Sequence, residues 1–169
     1  MNQHDIAAPS AWVERWAPLI THGTVLDVAC GSGRHANFFL SKHLKVVAVD
    51  REARIIPGAR FVQADLENGN PWPFPGEQFE GVVVTNYLHR PLFPRLLESL
   101  APGGVLLYET FMLGNERFGR PSNPEFLLRP GELLEVCKGM TIKAFEEGEV
   151  IVPKPAMIQR VCAVQAGKG

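Results

Sequence analysis

The stretch from Thr24 to Asp50, TVLDVACGSGRHANFFLSKHLKVVAVD, constrains the fold of this chain more than any other. Val25, Leu26, Val28 and Ala29 form an apolar run around one acid, Asp27. Such a run suits a strand buried on both faces, as parallel strands beneath helices are. Gly31 and Gly33 then let the backbone turn sharply and approach a ligand closely. A helix follows from about Arg34 to Lys42, with Phe38, Phe39 and the Ala36/Leu40 pair as its apolar side. Its N-terminal amides point at whatever occupies the turn. Lys45 to Asp50 is a second strand, and it ends in a carboxylate nineteen positions after Gly31. An acid at that spacing accepts hydrogen bonds from both hydroxyls of a ribose. Strand, glycine turn, helix, strand and acid together describe a holder for a nucleoside.

The rest of the chain extends the pattern. Ser10 to Ile20 reads as a short amphipathic helix with Ser10 as N-cap and Trp12, Trp16 and Leu19 or Ile20 on one side. Within residues 1–23 it either closes the core or forms a lid, and core closure ranks first. After Asp50, REARIIPGARF leaves little room for a crossover helix before a short strand, Ala59 to Gln63, and the proline-rich NGNPWPFPGEQ reads as a connecting loop. Gly81 to Thr85 is a buried strand. Pro91 to Leu100 is a helix that Ala101-Pro102-Gly103-Gly104 stops, and Val105 to Thr110 is a fifth strand. A further helix starts at Pro130 and ends by Gly139. Two strand-like runs follow, Thr141 to Val152 with Glu146-Glu147-Gly148 as a bulge or turn, then Met157 to Gln165. No helix separates them, which predicts antiparallel pairing. The expectation is an α/β class, a Rossmann-like three-layer sandwich whose mostly parallel sheet carries an antiparallel C-terminal strand, in one domain over residues 1–169.

A chain of 169 residues is long enough to bury such a sheet under helices on both faces. Its formal charge of −1 gives no electrostatic case for a nucleic-acid partner. The start has no basic region followed by an apolar core, and no later run is long and apolar enough to span a bilayer. Cys30, Cys137 and Cys162 are scattered, so neither a disulfide framework nor a metal cluster is indicated, and a reducing cytoplasm is expected.

The turn Gly31-Ser32-Gly33-Arg34-His35-Ala36 by itself also satisfies the loose dinucleotide pattern, which keeps a nicotinamide or flavin enzyme open. LDVACGSGRHA, however, resembles the first motif of the class I S-adenosylmethionine-dependent methyltransferases. Asp50 matches that family's ribose-binding acid. Ala64-Asp65-Leu66 matches the acidic position beside the adenine amine, and Val82 to Asn86 resembles the fourth motif, beside the transferable methyl. LAPGGVLLYET resembles the Pro-Gly-Gly turn into the fifth strand. Within the superfamily, the small size and the GSGRHA turn are similar to compact bacterial methyltransferases of the tellurite-resistance type. The fourth motif reads Asn86-Tyr87-Leu88-His89 rather than Asn-Pro-Pro-Tyr, which removes the best reason to expect methylation of a base.

The resemblance implies S-adenosylmethionine as cofactor, S-adenosylhomocysteine as product, no metal, and a small-molecule acceptor. It implies cofactor contacts from Asp27, Ala29, Cys30, Gly31, Gly33, Arg34, Asp50, Asp65, Leu66 and Asn86. Arg34 reaches a carboxylate in one reading and lies on the helix surface in the other, while His35 reads as packed or capping. His89, which follows the fourth strand at the mouth of the cleft, is the first choice for a general base, with Tyr87 and Glu109 next. The long segment LGNERFGRPSNPEFLLRP is expected to fold over the substrate pocket in its 113–129 part. There Arg117, Arg120 and Arg129 attract an anionic substrate, or else pair with Glu116 and Glu125. Two other functions stay open: an NAD(P)-dependent oxidoreductase, and a non-catalytic subunit that keeps the fold to support a protein partner.

Overall fold

The structure, a computed structural model, describes residues 7–167. Seven strands form one sheet in the order β3-β2-β1-β4-β5-β7-β6. They are β1 (Thr24–Val28), β2 (Lys45–Asp50), β3 (Arg60–Gln63), β4 (Phe79–Thr85), β5 (Leu100–Phe111), β6 (Thr141–Val150) and β7 (Ala156–Val164). The first five pair in parallel, and β7 runs antiparallel to both β5 and β6. The helices are α1 (Ala11–Trp16), α2 (Arg34–Ser41), α3 (Phe93–Glu98) and α4 (Glu132–Val136). The α/β class, the parallel centre and the single reversed strand agree with the sequence expectation.

Strand alternation sorts the core into two layers. Val25, Val83, Val105 and Leu107 face α1 and α2, where Trp12, Val13, Ala36 and Phe39 cover them. Leu26, Val28, Val82, Val84, Leu106 and Tyr108 face the other way, against Leu96 of α3 and Leu133 of α4. On this second side no helix joins β3 to β4. The prolines of the 71–75 segment forbid one. Aromatic rings fill the gap instead: Trp72 meets Phe74 edge-on at 5.4 Å, and Phe74 meets Phe79 at 5.8 Å. Part of this layer is therefore loop.

Several boundaries differ from expectation. The segment after β4 begins with a 3-10 turn, Arg90–Leu92, and α3 ends at Glu98, so Leu100 already belongs to β5 and pairs with Phe79. Ser99 closes the helix, its hydroxyl donating to the Arg95 carbonyl at 2.8 Å. The Ala101–Gly104 run is thus an irregularity inside β5 rather than a helix stop, and a Cβ on Gly104 would lie 2.8 Å from the Ala101 carbonyl oxygen. At the other end, Glu146, Glu147 and Gly148 stay in register with Arg160, Gln159 and Ile158, and the shift in β6 falls between Ile142 and Ala144.

The N-terminal segment closes the core. Ser10 caps α1 by accepting from the Val13 amide at 3.0 Å, and the buried Trp12 donates its indole N–H to the Val161 carbonyl at 3.1 Å. The part of the lid expectation that concerns residues 1–6 lies outside the described residues.

Candidate functional site

A cleft of about 310 Å³ opens at the carboxyl ends of β1, β2 and β3, lined by Ala29, Asp50, Arg51, Ala64, Asp65, Leu66, Glu67 and Tyr87. This is within the roughly 300–1,000 Å³ of small-ligand sites. Open α/β sheets hold ligands at this edge. Asp50 is its best-ordered acid: one carboxylate oxygen accepts from the Gly31 amide at 2.9 Å, the other from the Glu52 amide at 2.9 Å. Each oxygen keeps a second lone pair for a hydroxyl donor. Asp65 sits exposed on the rim, held by the Glu67 amide at 2.9 Å and the Asn68 side-chain amide at 3.1 Å.

Other residues expected at a cofactor build the turn rather than the cleft wall. Gly33 is left-handed, with φ of 89°, and a Cβ there would sit 2.8 Å from Ile56 Cδ1, so backbone and side chain are both committed to glycine. As the N-cap of α2 it offers no side-chain acceptor. Asp27 takes that role from β1, its carboxylate accepting from the Ala36 amide at 3.0 Å while fully buried. Burial pushes the Asp27 carboxyl up to about 7, against the Ala36 hydrogen bond and the Arg34 charge. Cys30 is buried, and burial, then the Asp27 and Asp50 charges, push its thiol up to about 12. Arg34 donates to the Ala8 carbonyl at 3.2 Å and does not line the cleft. Asn86 adopts φ of 55° at the end of β4, where its amide donates to the Glu109 carbonyl at 2.9 Å.

His35 is the capping residue that the sequence suggested. Its Nε2 accepts from the Ser10 amide at 3.0 Å, and its Nδ1 lies 3.4 Å from the Thr85 hydroxyl. The first contact leaves Nε2 unprotonated and puts the ring proton on Nδ1. Burial, reinforced by the Arg34 charge, lowers this imidazole to about 4. An unfolded chain binds the proton below 6.5, so the stability held by neutral His35 is complete above that pH and is lost as pH falls toward 4. The destabilisation caused by His35→Gln should therefore shrink by about 3 kcal/mol between pH 7 and pH 4. Asp27 titrates with the opposite slope, which is why urea stabilities of variant and wild type must be compared at each pH; a constant difference would refute the assignment.

One residue at the cleft went unrecognised in the sequence. The Tyr87 hydroxyl donates to Glu67 Oε2 at 3.2 Å, and His89 Nδ1 lies 3.7 Å from Glu67 Oε1. Burial, then the Glu67 charge, pushes the Tyr87 phenol above its ordinary range, so Tyr87 is a neutral donor and not a base. Glu109, also considered as a base or substrate contact, is bound at 3.1 Å to Arg160, its partner across the β5–β7 ladder. Arg160 also contacts Glu146 at 2.6 Å and lies over the Trp12 ring. Glu109 is thus neutralised against α1, away from the cleft.

The 113–129 segment is fastened. Glu132, with 6% of its side chain exposed, accepts from Arg90 Nε at 2.7 Å and Nη2 at 2.9 Å, and from the Arg129 amide at 2.8 Å. Arg90 also donates to the carbonyls of Glu125 and Leu127. Buried Asn115 bridges the Pro121 carbonyl and the Met157 amide, each at 3.0 Å. Of the three arginines expected to meet substrate, Arg129 lies 3.6 Å from Glu132, and Arg117 donates to the Gly114 carbonyl and covers Phe118. Arg120 faces a second cleft, lined by Phe111, Arg120, Pro121, Ser122, Asn123, Phe126 and Lys154.

Residues 25–104 match the family model described as a methyltransferase domain. The chain is 32% identical over 109 residues to a trans-aconitate 2-methyltransferase of Methylobacterium nodulans, covering 58% of this chain and 42% of that protein. It thus spans about two-fifths of that relative's length. Among solved structures, TehB from Haemophilus influenzae superposes with a TM-score of 0.78 at 17% identity, over 96% of this chain and 64% of that one. A Burkholderia thailandensis 1,6-didemethyltoxoflavin-N1-methyltransferase, with its substrate and S-adenosylhomocysteine bound, gives 0.63 at 20% identity, over 89% and 74%. Residues 25–104 are thus similar to a methyltransferase domain, and the sheet as a whole shares the fold of these solved structures.

Proposed function

We propose that this chain is an S-adenosylmethionine-dependent methyltransferase acting on a small-molecule acceptor. The observation that carries the reading is Asp50, held by the Gly31 amide at the carboxyl edge of the sheet with a lone pair on each oxygen still available. The residues fit the cofactor: Ala29 lines the cleft, the left-handed Gly31 and Gly33 form the turn behind it, Asp50 takes the ribose, and Asp65 and Leu66 border the adenine. Asn86, at the end of β4, lies on the side of the methyl donor. The trans-aconitate and toxoflavin-precursor enzymes among the relatives and structural neighbours support a small acceptor.

When bound, S-adenosylmethionine supplies a methyl group already activated as a sulfonium. The chain's task is alignment and exclusion of water, with a base only where the acceptor atom carries a proton. His89 takes that proton in this reading, with Glu67 orienting the imidazole and Tyr87 walling the cleft. His89→Ala is expected to lower kcat by about a hundredfold or more and leave S-adenosylhomocysteine affinity within about twofold. An unchanged kcat would remove the base role.

We further read residues 7–167 as one domain, since all seven strands join one sheet. Among the described residues no helix is long and apolar enough to cross a membrane, which supports a cytoplasmic enzyme. Calorimetry with S-adenosylhomocysteine and NADPH, followed by a radiolabelled methyl-donor screen of small molecules, tests the proposal. Binding of NADPH alone favours the oxidoreductase, and turnover only with a co-purifying protein favours the partner-subunit reading.

A further inference from the structure

The second cleft, about 530 Å³, sits where β5 ends at Phe111, between the 120–126 segment and the turn from β6 to β7. Its two cations, Arg120 and Lys154, come from segments far apart in sequence, and neither has an acidic partner among the described residues. This contrasts with Arg90, Arg129 and Arg160 nearby, each paired with a glutamate. The floor is apolar: Phe111 and a half-exposed Phe126, 50% accessible, with Pro121 beside them. The walls are also held rigidly. Asn115, 2% exposed, fixes Pro121, and two guanidinium nitrogens of Arg90 fix Glu125 and Leu127. Buried polar groups thus hold in place a surface that by itself is irregular, and such preordering lowers the entropic cost of binding.

We propose that this cleft anchors the carboxylate of a small organic acid between Arg120 and Lys154, with the apolar body of the acid against Phe111 and Phe126. Two cations around an apolar floor suit an amphipathic anion of this kind. In the methyltransferase reading, on which the term acceptor rests, this organic acid is the methyl acceptor. The carboxylate is held beside the end of β5 while the methyl donor is read beside Asn86 at the end of β4, so the cleft anchors the molecule and the methyl-accepting atom is a different one, directed along the sheet edge. β5 and β4 are neighbours there, linked by the Asn86 amide and the Glu109 carbonyl. Only β4 separates β5 from β1, so the nearer strands of the two clefts lie about 10 Å apart along one edge of the sheet.

Saturation-transfer NMR with benzoate, and with benzamide as its uncharged counterpart, tests the anchor without reference to turnover. Benzoate is expected to bind the wild type in the millimolar range and benzamide not to bind. Arg120→Ala and Lys154→Ala should each weaken benzoate by about threefold or more, and the double variant by about tenfold or more. S-adenosylhomocysteine affinity should stay within about twofold in all three variants, which shows that they fold. Equal signals from benzoate and benzamide, full benzoate affinity in the double variant, or no benzoate signal from the wild type at about 10 mM would each overturn the proposal. If the wild type binds benzoate through Arg120 and Lys154 but does not bind S-adenosylhomocysteine, the anchor stands and the methyltransferase reading fails.

Discussion

Replacing Glu132 by alanine is expected to cost about 3–5 kcal/mol of stability, the range for removing one partner of a buried ion pair. The carboxylate is almost fully enclosed and serves Arg90 twice and the Arg129 amide once, so its loss strands a guanidinium together with the backbone it organises. Burial raises the Glu132 carboxyl, but the Arg90 and Arg129 hydrogen bonds outweigh it and hold the group below its ordinary 4.5. Its contribution is therefore complete above that pH and disappears as pH falls through the lowered value. Urea unfolding of the variant at pH 7 measures the cost. A loss under about 1 kcal/mol would mean that the pair is solvated and that the 113–129 segment is held by other contacts.

Asp50→Ala is expected to weaken S-adenosylhomocysteine by about tenfold to a hundredfold, the value of hydrogen bonds to a charged acceptor at about 1.5–3 kcal/mol. The same carboxylate braces the Gly31 and Glu52 amides, so part of the loss arises from a looser turn. Asp50→Asn keeps one acceptor oxygen and should fall between wild type and alanine. Calorimetry decides the matter: affinity within about twofold of wild type in Asp50→Ala would separate this acid from the ligand.

The central turn was legible in the sequence because its requirements are local. Two glycines, an apolar run on either side and a strand-end acid have few other uses, and β2 begins and ends where the pattern put it. The short spacing after β2 and the prolines after β3 likewise announced the absence of helices there. Side-chain direction was not legible. Asp27 reads like a ligand contact, yet its position in β1 turns the carboxylate toward the bare amide of Ala36. Glu109 ends a strand at the correct edge, but the arginine that neutralises it lies 51 residues later. Glu67 carries no motif in the sequence, and only the return of β4 brings Tyr87 and His89 to it. Arg90 and Glu132, 42 residues apart, gave no local sign of each other. Arg120 was one of three arginines expected either to meet an anionic substrate or to pair with nearby glutamates, whereas its neighbour Lys154 comes from a turn that carries no motif.

The place of β7 bears on how the molecule is made. It follows β6 in the chain but lies between β5 and β6 in the sheet. Emerging from the ribosome, β6 therefore has no neighbour to bond until β7 arrives, and β5 presents an open edge for the same interval. Sheet completion is a late event: β6 and β7 pair locally across the 151–155 turn, and the non-local step is the docking of β7 onto β5. During synthesis the nucleoside cleft can assemble first from β1 to β4, while the walls around Arg120 and Lys154 must wait for the last strand.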